Sequence, residues 1–258
     1  MNYGMYLSAT GVISNMHRQD VLANNLANLN TVAFKPDVAY TVQRLPARLE
    51  SPSGAEAQRL LERLGGGHLL KQTLVSLKQG TLTQTGNNLD FAIDGEGFFV
   101  VADDPAAGQE EFRLTRDGRF TLNKAGEMVM AGSGLKVLDI ENKPIILDQN
   151  AAVHMNPSGL IVQDGKVRAQ VKIVAAIKPA DLIKLGNNVL KLRNGGPLAL
   201  RPATGLLVQE HVEASNVDPV MTLSNMISAS KAVAANVKLM QYHDHLIGQA
   251  VNTLGRVA

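Results

Sequence analysis

The chain has 258 residues, 45% of them hydrophobic, enough for one large or two modest packed domains. A net charge of +2 is too mild to imply a nucleic-acid partner. The absence of cysteine rules out disulfides, thiolate metal sites and a cysteine nucleophile.

Met5 to Asn28 reads as a helix. Met5, Ala9, Val12, Met16, Gln19, Ala23 and Leu26 step by four and three, a heptad seam that Ile13 and Leu22 widen. Asn24, Asn25, Asn28 and Asn30 crowd its end. Asparagine competes with the backbone for hydrogen bonds, so the cluster predicts a fraying terminus, or amides that bridge neighbouring helices. Pro36 biases Lys35 toward an extended backbone and closes the helical region. Val38 to Leu45 alternates loosely and is expected to be extended. Ala55 to Leu64 reads as a short helix that ends at Gly65-Gly66-Gly67, a flexible joint rather than a phosphate loop, because the Gly-Lys-Ser/Thr ending is missing.

From Leu69 alternating apolar residues and turn pairs predict a β region. The turn pairs are Asp94-Gly95, Asp117-Gly118, Asp164-Gly165 and Lys124-Ala-Gly126. Phe91 to Val101 reads as strand, tight turn, strand. Leu114–Leu122, Glu127–Val137, Ile145–Leu147, Leu160–Val162 and Val171–Ala175 supply more strands. With no long helix among them, they predict an antiparallel sandwich or irregular barrel. Pro179 to Lys184 fits one helical turn. Asn187 to Leu200 reads as loop with short extended pieces, and Leu206 to Val212 as the last strand.

Asp218 to Leu254 reads as one long helix. Asp218 is a good N-cap and Pro219 suits the first helical position. Leu223, Met226, Ser230, Val233, Val237, Met240, Asp244, Ile247, Val251 and Leu254 form a second heptad seam. At 1.5 Å per residue the helix runs about 54 Å, more suited to an assembly than to a lone domain. The polar positions Gln19, Ser230 and Asp244 weaken a two-stranded pairing and suggest a bundle of more than two helices. The fold class is therefore α+β: long terminal helices pair in a coiled-coil-like way, with an irregular, mainly antiparallel β domain between them. The expected boundaries are 1–35 for the first helix, 36–78 for a linker, 79–212 for the β domain and 213–258 for the last helix.

Catalytic and metal-binding patterns are weak. His243 and His245 are two apart on a helix and point about 200° from each other, so they cannot share an ion. Glu210 and His211 face opposite sides of a strand. Asp90 and Asp94 gather no further groups, the Asp-Gly pairs lack EF-hand spacing, and no nucleophile elbow is present. The expectation is no enzyme activity and no cofactor. No apolar run approaches the roughly 20 residues of a membrane span, and the first residues lack the pattern of a cleaved signal.

Motifs at both ends of the chain and in the first half of its middle, in order, carry a resemblance. Ala23-Asn-Asn-Leu-Ala-Asn-Leu-Asn-Thr-Val-Ala-Phe-Lys35 resembles the N-terminal signature of bacterial flagellar rod and hook proteins. Gln79-Gly-Thr-Leu-Thr-Gln-Thr-Gly86, with Leu89 to Phe99 and Leu114 to Phe120, resembles the opening of that family's β domain. Glu213-Ala-Ser-Asn-Val-Asp218 and the following helix resemble its C-terminal signature. The family-motif positions are Asn24, Asn25, Asn28, Thr31, Phe34, Ser215, Asn216, Asp218 and Asn236.

The resemblance implies an exported axial subunit of the flagellar basal body. Its terminal helices would form an inner coiled coil and polymerise helically into the rod, a hollow drive shaft from motor to hook. The implied partners are copies of itself, other rod proteins and the flagellar type III export apparatus, through which it leaves unfolded and without a cleaved signal. The implied place is the rod where it crosses the periplasm. Glu213 to Val220 looks most like the proximal-rod type, with the distal-rod type close behind. A hook-type subunit and a soluble coiled-coil adaptor are the alternatives. Two departures stand out. Ala33 replaces the usual glycine before Phe34, so no positive φ is expected there. Lys231-Ala-Val-Ala-Ala-Asn236 replaces Arg-Ala-Tyr-Glu-Ala-Asn, which removes an aromatic anchor and a charge.

Overall fold

A computed structural model describes residues 3–45, 66–103, 105, 112–192 and 200–254. The short helix expected at Ala55–Leu64, and Gly65 beside it, lie outside the described residues. The chain divides into two compact units. The first is Met1–Ala27, Asp37–Leu74 and Asp218–Ala258; the second is Asn28–Pro36 and Val75–Val217. The segments just after the first helix and just before the last thus belong with the β region.

In the first unit, helix α1 spans Tyr3–Ala27 and helix α2 spans Pro219–Leu254. The Asp218 carboxylate accepts a hydrogen bond from the Met221 N–H at 3.0 Å, the N-cap expected from the sequence. The helices pack antiparallel. A Cβ on Gly4 would lie 2.7 Å from His243 Nε2, and one on Gly11 would lie 3.0 Å from Asn236 Nδ2. Glycine makes room for the facing side chain at these two points, one heptad apart on each helix. Buried Ala229 and Thr222 continue the same line on α2, and buried Ser8 continues it on α1. The line turned toward the other helix is therefore small and polar, and α2 runs on beyond His243.

Strands β1 (Asp37–Val38), β2 (Thr41–Gln43) and β3 (His68–Leu70) follow α1, and β2 pairs antiparallel with β3. Gly67, at φ 93°, packs on α1, where a Cβ would come within 2.7 Å of Thr10 Oγ1. Arg44 donates to the Tyr6 hydroxyl at 2.7 Å. Asn25 does not fray. Its buried amide donates to the Asp37 carbonyl at 2.7 Å and accepts from the Asp37 N–H at 2.9 Å. Strand β4 (Leu74–Val75) lies at the boundary of the two units.

The second unit holds β5 (Leu82–Gln84), β6 (Phe91–Asp94), β7 (Phe98–Ala102), β8 (Arg113–Thr115), β9 (Phe120–Leu122), β10 (Met128–Met130) and β11 (Lys136–Val137). After these come β12 (His154–Met155), β13 (Leu160–Gln163), β14 (Lys166–Gln170), β15 (Ile173–Ala176), β16 (Leu182–Gly186), β17 (Val189–Leu192), β18 (Leu200–Pro202), β19 (Leu206–Gln209) and β20 (His211–Glu213). The largest sheet runs β16-β17-β8-β7-β11-β10-β9, with β15 joining β7 to β18. Smaller sheets are β12-β13-β14, β19-β6 and β20-β5. The pairings within this unit are antiparallel. Strand β7 is buried on both faces. Phe99 and Val101 join one core with Phe91, Phe120, Met128 and Ile161, while Phe98 and Val100 join another with Leu114, Leu138 and Leu182. Phe99 meets Phe120 edge-on, with ring centroids 5.1 Å apart.

Several local expectations hold and others do not. Asp164 and Gly165 both have positive φ and close a two-residue hairpin between β13 and β14. Phe91 to Val101 is not a hairpin. β6 pairs with β19, and β7 pairs with β8, β11 and β15, because Gly95 (φ 101°) and Gly97 (φ 152°) carry the chain from one sheet to another. Asp117-Gly118 is not a hairpin turn either, since β8 and β9 have different partners. Ile145–Leu147 makes an isolated bridge at Ile146 rather than a strand. Glu210, at φ 60°, splits the last expected strand into β19 and β20. Asn187 and Asn188, both at positive φ, turn the expected loop into the β16–β17 hairpin. Pro179–Asp181 does form one turn of 3₁₀ helix. Ala33 adopts φ 57°, contrary to the expectation for a non-glycine residue.

Candidate assembly site

The N- and C-terminal motifs meet inside the second unit. Thr31 Oγ1 donates to Asn28 Oδ1 at 3.1 Å, and the Phe34 N–H returns to the Thr31 carbonyl at 3.2 Å, so Asn28 to Phe34 is a pair of turns. From there the Ala33 N–H donates to the Glu213 carbonyl at 2.6 Å, and the Asn216 N–H donates to the Phe34 carbonyl at 3.4 Å. The first of these bonds imposes the left-handed backbone on Ala33. Phe34 is buried, with Lys184 Nζ 3.9 Å above its ring centroid. Asn188 Nδ2 donates to the Val32 carbonyl at 2.7 Å.

Below this junction the Glu213 side chain is wholly buried, at 0% exposure. Its carboxylate accepts from Lys35 Nζ, from the Gly80 N–H at 2.7 Å and from Arg116 Nη1 at 3.2 Å. Lys35 also donates to the Lys78 carbonyl at 2.7 Å, as does Asn216 Nδ2 at 3.2 Å. Arg116 donates to the carbonyls of Ile93 (3.3 Å) and Gly95 (2.7 Å) and lies 5.3 Å from the Phe98 ring. Burial holds the pKa values of Lys35 and Arg116 below their ordinary values, with Glu213 pulling them back up. One carboxylate thus answers two buried cations. Each stretch that carries the resemblance contributes here: Lys35, Gly80, Ile93 with Gly95, Arg116, and Glu213. None of the charged three was singled out from the sequence, although each sits in a quoted motif. The cluster ties distant segments of the chain to one another, and it offers no exposed reacting group.

The expected seam residues are spread over both exposed and covered positions. Met5, Ala9, Val12 and Leu26 of α1 and Met226, Val233 and Met240 of α2 are half-buried. Met16, Ala23, Leu223, Val237, Ile247 and Val251 are exposed, and the side chain of Leu254 lies outside the described residues. Among the motif residues, Asn24 and Asp218 are exposed, Asn28, Thr31 and Asn216 are half-buried, and Asn236 sits against Gly11. The buried Ser215 Oγ has no hydrogen-bond partner among the described residues. His243 packs at Gly4, while His245 turns along its own helix to Gln249 at 3.1 Å. No described helix is long and apolar enough to cross a membrane.

Three family models match this chain. They are described as flagella basal body rod protein (residues 5–35), flagellar hook protein FlgE/F/G D1 domain (residues 92–169) and flagellar basal body rod FlgEFG protein C-terminal (residues 208–253). The flagellar basal-body rod protein FlgF of Caulobacter vibrioides is 33% identical over 264 residues and covers 100% of both chains. The chain belongs to the flagellar basal-body rod family. FlgF of Mesorhizobium japonicum is 29% identical over 257 residues, covering 99% of each chain. FlgG of Caulobacter vibrioides is also 29% identical, over 266 residues, covering 96% of this chain and 97% of its own. Within the rod family this chain fits the proximal-rod type.

Proposed function

We propose that the chain is a structural axial subunit of the flagellar basal-body rod, polymerising helically through its terminal helices into the shaft that carries torque from motor to hook. Membership of the rod family supports this reading. The single observation that carries it physically is the apolar face α2 leaves open. Leu223, Val237 and Val251 lie on one heptad row with Ile227 and Ile247 beside it, and all five are exposed; Leu239 and Leu246 are exposed on the far side of the helix, and Ile13 and Met16 are exposed on α1. Such a patch marks an interaction surface. Burying it against copies of the same helices stabilises an assembly by roughly 25 cal/mol per Å² of apolar area. Contacts of this head-to-tail kind build an open filament.

On this reading the expected seam residues form coiled-coil-like contacts between copies, while the glycine line holds each subunit's own helices together. The role is mechanical rather than catalytic. The partners are copies of this chain, other rod proteins and, before assembly, the export apparatus. The place is the rod where it crosses the periplasm. Relatives named FlgG also match at full length, so a distal-rod subunit of the same family is the second reading.

The test is a double substitution, Leu223→Asp with Val237→Asp, as the only copy in cells. Both side chains are exposed, so the folded subunit is expected to keep its far-UV circular dichroism. Incorporation into isolated basal bodies should fall at least about tenfold, because each buried carboxylate costs more than 1.4 kcal/mol unpaired. Basal bodies that contain the variant at the normal level would refute the assigned surface.

A further inference from the structure

We propose that Asn28–Pro36 is a releasable latch, a nine-residue segment that the second unit holds as it would hold a bound peptide. Its release frees the exit of α1 from the entry of α2 while the β core stays folded.

Topology is the first support. The segment belongs to the second unit, but the chain on either side, up to Ala27 and from Asp37, belongs to the first. It joins no sheet, so no ladder of backbone hydrogen bonds fixes it. Two backbone bonds, to Glu213 and from Asn216, hold it to the strand end that leads into α2. Those two bonds tie the segment leaving α1 to the segment entering α2.

The balance of forces is the second support. Ala33 sits in the left-handed region, at φ 57°, which an L-residue enters only against a steric clash of its Cβ. That strain is released when the segment lifts. The Lys35 ammonium is buried, and a buried ion pair gives little net stability once desolvation is counted. Phe34 is the one large apolar anchor of the segment, against the many aromatic and aliphatic side chains of the β core. A segment held in this way opens at lower free energy than the core that holds it.

Native-state hydrogen exchange on the full chain tests the latch. The latch amides are Ala33 and Asn216, and the core amides are Met128, bonded to Ile145, and Leu138, bonded to Val100. In the unmodified chain the latch amides should exchange at least about tenfold faster than the core ones. Ala33→Gly relieves the strain and should slow the Asn216 amide about fivefold without changing the core amides. Phe34→Ala should speed the Ala33 and Asn216 amides about a hundredfold, again with the core unchanged. If either substitution shifts latch and core amides by the same factor, the segment opens only with the core and the latch is refuted. Equal rates at latch and core amides in the unmodified chain would refute it as well.

Discussion

Glu213→Ala is expected to destabilise the β unit by about 3–5 kcal/mol, a large share of the stability of an ordinary domain. The carboxylate faces the Lys35 ammonium, the Arg116 guanidinium and the Gly80 N–H, and its side chain is wholly buried. Removing it leaves two cations buried with no counter-charge, together with an unpaired backbone donor. Desolvation of an unpaired charge costs more than any apolar contact nearby can return. The backbone bond from the Ala33 N–H to the Glu213 carbonyl would remain, so the loss measures the side chain. A triple replacement, Lys35→Met, Arg116→Met and Glu213→Leu, should recover part of the stability, because an apolar cluster of similar volume has no charges to desolvate, although the Gly80 N–H and the Gly95 carbonyl lose their side-chain partners. The chain has no tryptophan, so urea unfolding followed by far-UV circular dichroism is the appropriate measurement. A midpoint for Glu213→Ala equal to that of the unmodified chain would show that the cluster does not hold these segments together.

Gly118→Ala is the second large effect, expected at about 3 kcal/mol or more. A Cβ at position 118 would lie 1.6 Å from the carbonyl oxygen of Phe91 and 2.7 Å from its carbon. The Phe91 N–H in turn donates to the Gly118 carbonyl at 2.9 Å, so the two backbones are in direct contact. No side-chain rotation relieves the overlap. Either β6 or the β8–β9 connection must move, and Phe91 is a fully buried member of the larger core. Asp117, beside it, is held by Arg119 in a two-pronged ion pair and could not follow without losing that pair. The same urea titration measures the loss. A change below about 1 kcal/mol would mean that this close approach is absent in solution.

The parts of this fold that were legible in the sequence are those set by neighbours along the chain. Asp218-Pro219 announces the start of α2, and Asp164-Gly165 announces a hairpin, because caps and tight turns are local chemistry. Strand pairing was not legible in this way. Gly95 and Gly97 look like a hairpin turn from either side, yet their conformations send the chain to a different sheet. The positive φ of Ala33 was equally hidden, because a hydrogen bond to Glu213 imposes it and intrinsic preference opposes it. The buried ion cluster joins residues 178 apart, a distance that no local pattern spans. In the helices, hydrophobic periodicity marks the apolar rows. The row turned toward the other helix within the chain sits one position away, on Gly4, Gly11, Asn236 and His243, where small or polar residues permit close approach.

The most direct test of a rod subunit compares hydrogen exchange over α2 in the purified chain and in isolated rods that contain it. Beyond His243, α2 continues for residues 244–254, with Leu246, Ile247 and Val251 exposed. In the free chain these amides should exchange quickly, and in the rod they should be protected at least about a hundredfold, as neighbouring copies cover them. Strong protection in the free chain, unchanged in the rod, would mean a self-sufficient helix pair and would contradict assembly through this face.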